Sequence, residues 1–245
     1  MVMSLGRGER VLACSLAATA GFVDAVGFLE LGGYFVSFMS GNLTRLAVSW
    51  AEFDWPGVIL VGGILTAFFA GAVIGATVTR MAARRLVVLK GPGLDPEGGD
   101  FRDISGASRE RLVRSAALLC VALLLAIAAL VHIVSPGPLA MALTAAAMGA
   151  MNSVFTNAGE VRIGLTYMTG AVVKSAHRLV DVIAGGPWGP LVQNVSLWVS
   201  LLVGGVLGAW GQLTVGGAVL WIPVIVVVFC LVGTELVRRR VTLRG

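Results

Sequence analysis

Two short segments hold most of the residues of this chain that could bind or react. In FMSGNLTRLA, from Phe38, a hydroxyl (Ser40), a glycine (Gly41) and an amide (Asn42) precede Arg45. In YMTGAVVKSA, from Tyr167, Thr169 and Gly170 stand at the same offsets before Lys174. A cation costs roughly 2.5–3.5 kcal/mol at the centre of a membrane helix, so it is kept where protein or a polar cavity surrounds it. A hydroxyl followed by glycine suits the start of a half-helix, with the hydroxyl as cap and the glycine permitting the turn. The positive end of such a helix, with a cation little more than one turn further on, favours an anion.

Asp24 is a further costly residue in an apolar run. Its plain role is an ion pair with Arg45 or Lys174, and a proton- or substrate-linked role is the alternative. Asn152 takes the corresponding place in the second half, with Thr156 on the same helical face. Together Asp24, Ser40, Gly41, Asn42, Arg45, Asn152, Thr169, Gly170 and Lys174 form the candidate substrate-binding set. His177, Arg178 and Asp181 are spaced to pair along one helical face, as an interfacial ion-pair cluster. Ser40 and His177 invite comparison with a hydrolase dyad, but the chain has no Gly-x-Ser-x-Gly elbow and no His-Glu-x-x-His frame. Cys14, Cys120 and Cys230 are scattered singly, without metal or disulfide spacing. The expectation is a protein without catalytic residues, metal or cofactor.

These residues must be positioned by membrane helices. With 57% apolar residues, 13% charged and 33 glycines in 245, the composition is that of a polytopic membrane protein, and the net charge of +5 reflects loops rather than a nucleic-acid surface. Apolar runs at about residues 11–30, 57–79, 112–134, 137–158, 190–213 and 216–237 are each long enough to cross the roughly 30 Å hydrocarbon core. The stretches 34–50 and 163–183, which carry the candidate cations, are weaker. The first run continues past Asp24 to Leu31, which reads as a retained helix rather than a cleaved signal.

Three blocks recur in order. GFVDAV from Gly21 is echoed by GAMNSV from Gly149, FMSGNLTRLA by YMTGAVVKSA, and FFAGAVIGA from Phe68 by LLVGGVLGA from Leu201. The last pair superposes Gly71 and Gly75 on Gly204 and Gly208, small-xxx-small ridges that let helix backbones approach. The segment from Arg80 to Arg114 holds eight basic residues against five acids, which places it in the cytoplasm. The Arg238–Arg240 tail joins it there if the two weak stretches enter and leave on one side. That leaves six crossings, three per half, and an odd number gives the halves opposite topology. The expected architecture is all-α, with six transmembrane helices and two short broken or re-entrant helices in two inverted repeats. Residues 1–83 form the core of the first repeat, 84–111 a basic cytoplasmic linker, 112–136 the span closing that repeat, and 137–245 the second.

GFVDAVGF in the first helix, FVSFMSGN before the second and MTG in the second half resemble the YoaK-like family of bacterial membrane proteins, whose function is unknown. The resemblance runs over nearly the whole chain, and Ser40 stands where the family commonly has threonine. It implies a multi-pass protein of the bacterial inner membrane, here with both termini cytoplasmic. The expected function is a secondary transporter or channel for a small solute, anionic in preference, at the interface of the repeats. A non-transporting scaffold or regulator, whose basic loop docks anionic lipid or a partner, and an intramembrane serine hydrolase are the alternatives, and a homo-oligomer is a separate expectation. The lipid bilayer is the expected partner, and nucleic acid is not.

Overall fold

The computed structural model describes residues 6–89, 101–157, 160–161 and 168–242. In these the chain is helical: α1 (Arg7–Glu30), α2 (Met39–Ala51), α3 (Trp55–Leu89), α4 (Phe101–Val134), α5 (Pro138–Met151), α6 (Met168–Ile183), α7 (Gly189–Val215) and α8 (Trp221–Thr242). A 3-10 turn (Asn152–Phe155) prolongs α5, and two-residue strands β1 (Thr156–Asn157) and β2 (Glu160–Val161) pair antiparallel after it. Among the described residues, five segments are long and apolar enough to cross a membrane: Gly8–Glu30, Trp55–Arg85, Arg109–Val134, Pro138–Phe155 and Gly189–Ala218. The apolar part of α8, Trp221–Leu236, is shorter. The protein is a multi-pass membrane protein, and its outer helix faces present exposed Ile59, Phe69, Leu123, Val206 and Phe229, as lipid-facing surfaces require.

Two parallel helix pairs organise the bundle. Gly204 of α7 lies on the backbone of Ala18 in α1 and Gly208 on that of Phe22, so the two helices run in one direction. Gly71 of α3 lies likewise on Ala146 of α5, and Gly75 on Ala150. Gly21 faces Leu201, and Gly149 faces Phe68. At all six glycines a methyl group would overlap a neighbouring backbone atom, so these are contacts only glycine allows. The buried core between the pairs is built from α1, α4, α5 and α8, with Leu16, Leu118, Leu125, Met141, Met148 and Leu220 enclosed.

Arg114 ties one end together: its guanidinium reaches Glu9 at 2.8 Å and Glu110 at 2.9 Å and lies over the Phe155 ring. The other end gathers the last turns of α1 and α4 and the turn into α8, where the His132 ring approaches both Glu30 and the Gly217 carbonyl. Since α3 runs parallel to α5, which starts at this second end, α2 leaves and returns there. The α6–α7 hairpin, in which Trp198 Nε1 donates to Ser175 Oγ at 3.3 Å, belongs to the Arg114 end. With 13 and 16 residues, α2 and α6 extend about 20 and 24 Å, short of a full crossing.

The linker assigned to 84–111 is helical at both its ends, because α3 continues to Leu89 and α4 begins at Phe101. Its middle, 90–100, lies outside the described residues.

Candidate functional site

The chain after α1 turns back on itself before α2 starts. Gly32 and Gly33 have φ of 70° and 106°, a left-handed conformation that side chains disfavour, and at Gly33 a Cβ would stand 2.7 Å from the Arg45 guanidinium. Residues 35–38 then fold against α1. Asp24 Oδ1 accepts the amides of Val36 at 2.8 Å, Ser37 at 2.6 Å and Phe38 at 3.4 Å, and Oδ2 accepts the Ser37 hydroxyl at 2.5 Å. The Asp24 carboxyl thus satisfies amides just ahead of the first turn of α2, from a neighbouring helix.

Asn42 closes the same loop from the other side. Its Nδ2 donates to the Phe35 carbonyl at 2.6 Å and its Oδ1 accepts the Phe35 amide at 3.0 Å. It is fully buried. The rings of Phe28, Phe35 and Phe38 stack in series, and Val36 packs into the core. At its far end α2 is held by the Asp54 turn, where Asp54 Oδ1 accepts the Gly57 amide at 3.2 Å and the Trp50 and Trp55 rings meet edge to face.

On the outer face of α2 this leaves an open groove of about 550 Å³, lined by Phe38, Ser40, Gly41, Thr44, Arg45 and Val48. Arg45 is exposed, and its guanidinium lies 5.5 Å from the centroid of the Tyr34 ring, within cation–π reach. The groove offers two hydroxyls, a cation and a glycine backbone along an apolar wall. That set can hold a small polar or anionic group by hydrogen bonds and charge.

The nine sequence-predicted site residues fall into two groups. Ser40, Gly41 and Arg45 share the groove, with Asp24 and Asn42 behind it as supports. Thr169, Gly170 and Lys174 are on α6, where Thr169 and Lys174 are exposed. Asn152 sits in the 3-10 turn, donating to the Met148 carbonyl at 3.0 Å. Because α2 packs on α3 and α6 on α7, the two helices do not close around one centre. Thr156 is in β1 rather than on the helical face of Asn152. Met168 begins α6 as Met39 begins α2, so the two motifs hold equivalent helix positions.

Two roles change. Ser40 lies inside α2 and makes no capping bond; the loop before the helix is satisfied by Asp24. Asp24 is not paired with Arg45 or Lys174, because the loop folded over α1 brings amide donors to it. The expected partnership of Arg178 with Asp181 is present at 2.8 Å. Two long-range side-chain contacts, Arg114 with Glu9 and His132 with Glu30, join residues that the sequence reading left unconnected. Their one signal was that each is an ionisable residue within or beside an apolar run.

Residues 12–233 match the model of a family described as "Protein of unknown function (DUF1275)". The chain belongs to this family. It is 28% identical over 218 residues to the UPF0700 transmembrane protein RA0705 of Rhizobium meliloti (strain 1021), covering 86% of this chain and 80% of the relative. No solved structure matches it. The match takes in both half-length helices, so groove and α6 motif lie within the family's shared region.

Proposed function

We propose that this member of the family is a secondary transporter or channel for a small solute, anionic in preference. In this reading it has six crossings and two re-entrant half-length helices, arranged as two inverted repeats. The observation that carries it is the exchange of helix partners between the halves. Gly204 on Ala18 and Gly71 on Ala146 are equivalent contacts under the repeat, as are Gly208 on Phe22 and Gly75 on Ala150. Each half lends a helix to the other, and α2 and α6 join opposite ends. Duplicated folds with broken helices are a recurrent transporter plan, with solute held where half-helices end. The groove beside Arg45 is the proposed solute site, and the α6 motif its counterpart.

The basic segment between α3 and α4, with both termini, is assigned to the cytoplasm of a bacterial inner membrane by its excess of arginine. Lipid is the surrounding partner and nucleic acid has no role. The function is read as non-enzymatic, since the chain carries no Gly-x-Ser-x-Gly elbow and no His-Glu-x-x-His frame. A second reading, a scaffold or regulator whose basic segment docks anionic lipid or a partner, is favoured by the stacking of Arg45 on Tyr34, which gives the cation a structural reason.

The test is a thermal-shift screen of purified protein with small organic and inorganic anions, followed by uptake into proteoliposomes. A bound solute raises apparent stability by mass action. Arg45→Gln should abolish the shift and the uptake while leaving unliganded stability in place, and Lys174→Gln should weaken both. A solute shift of undiminished size in Arg45→Gln would remove the groove from the mechanism.

A further inference from the structure

Glu30 ends α1 and His132 lies in the last turn of α4, 102 positions away. His132 Nε2 stands 2.6 Å from Glu30 Oε2, and Nδ1 stands 3.0 Å from the Gly217 carbonyl oxygen. Both side chains are buried, with 2% and 10% of their surface exposed. A carbonyl oxygen can only accept, so Nδ1 carries a hydrogen. The contact between Nε2 and Oε2 also requires a hydrogen, because two facing lone pairs would repel at that distance. The cluster therefore holds one proton more than a neutral imidazole beside a carboxylate. Whether that proton rests on Nε2 or on Oε2, the pair has no net charge. Glu30 Oε1 is buried without a partner, so His132 is the hydrogen-bonding support of that carboxyl group.

Little else can answer a change of charge here. Among the described residues, α5, α7 and the Gly216–Ala218 turn carry no titratable side chain. The first in α8 is Cys230 and the first in α3 is Arg80, both well down their helices. Arg114 and Cys120 of α4 and Cys14 and Asp24 of α1 lie further from this end. Tyr34, Arg45, Glu52 and Asp54 belong to the same end: Arg45 is on α2, which packs on α3, Tyr34 lies in the loop that folds against α1, and Glu52 and Asp54 stand in the turn between α2 and α3.

We propose that Glu30 and His132 form a proton-binding site that locks this end of the bundle. With the shared proton present, one imidazole ties α1, α4 and the turn between α7 and α8. When water or hydroxide removes the proton, the one hydrogen left on the ring can serve the Glu30 carboxylate or the Gly217 carbonyl but not both, in a buried site with net charge −1, and the three-way tie parts. The site is independent of the solute reading and of the groove on α2.

The chain has two histidines, so His177→Gln, at an exposed position, leaves His132 as the single ring to observe. In nanodiscs, nitrogen-15 NMR of histidine-labelled protein is followed between about pH 5 and 10. Hydrogen exchange of residues 216–220 is followed in parallel, corrected for its intrinsic pH dependence. The expected result is one step in the ring signals with a rise of about tenfold in exchange at the same midpoint, the mark of a local opening. Glu30→Gln keeps a donor to Nε2 without an ionisable proton, so it should erase the exchange step. A ring that shows no step, a ring step without a change in exchange, or an exchange step that persists in Glu30→Gln overturns the proposal. Should Glu30→Gln not fold, the coincidence of the two steps in the parent protein decides.

Discussion

Removing the Asp24 carboxyl tests how α2 is held. Val36 and Ser37, whose amides it accepts at 2.8 and 2.6 Å, are 0% and 2% exposed, so Asp24→Ala strands two buried donors. At about 1–3 kcal/mol for each unsatisfied buried group, the cost is roughly 2–6 kcal/mol. Asp24→Asn keeps one oxygen where Oδ1 stands, and the Ser37 hydroxyl can turn to accept from the new amide. It forfeits charge assistance alone, about 1–2 kcal/mol. Arg45 makes no contact with Asp24, so Arg45→Gln and Asp24→Asn should combine additively, within about 0.5 kcal/mol. The assay is unfolding of the purified single and double variants by heat and by denaturing detergent. Equal losses for alanine and asparagine would refute the capping role. A coupling with Arg45 above about 1 kcal/mol would restore the ion pair that the geometry replaces.

Gly204→Ala should destabilise strongly, by about 1–3 kcal/mol or more, because its methyl would overlap the Ala18 carbonyl, whereas Gly205→Ala meets its nearest atom at 3.6 Å and should be near neutral. Gly71→Ala and Gly62→Ala make the equivalent contrast on α3, and comparable midpoints within either pair would count against the close helix contacts. Asn42→Ala removes both hydrogen bonds to Phe35 and should cost about 1–3 kcal/mol, with Asn42→Asp intermediate, read by the same unfolding assay. Single cysteines at Gly98 and Ala51, in a background without native cysteines, should label from opposite sides with an impermeant reagent. Labelling of both from outside would exclude a cytoplasmic basic segment.

The helices were legible because hydropathy alone sets where a chain can cross lipid. The starts of α2 and α6 were legible too, since both weak stretches were flagged by their cations and both helices begin one residue before the hydroxyl. The glycine ridges announced close packing but not their partners. That Gly71 meets Ala146 rather than a helix of its own half is a tertiary fact that the local pattern does not contain. Asp24 misled for a related reason. Charge alone suggested an ion pair, while the glycine turn at Gly32 and Gly33 brings amide donors to it first. Glu30 and His132 were each visible as ionisable residues at span ends, but nothing local links positions so far apart.

Positions paired by the sequence blocks make equivalent glycine contacts but carry different residues at the places of Asp24 and Asn42. In the first half Asp24 and Asn42 hold the loop before α2 through five bonds to backbone amides and carbonyls. At the corresponding places the second half has Asn152 and Ala171. Asparagine retains an acceptor oxygen, but alanine at 171 has no group to close a loop as Asn42 does. Ala171 is instead buried as an apolar residue, on the face that α6 turns inward with Ser175. Among the described residues the glycine contacts thus recur at positions that the sequence blocks pair, while the residues paired with Asp24 and Asn42 differ from them.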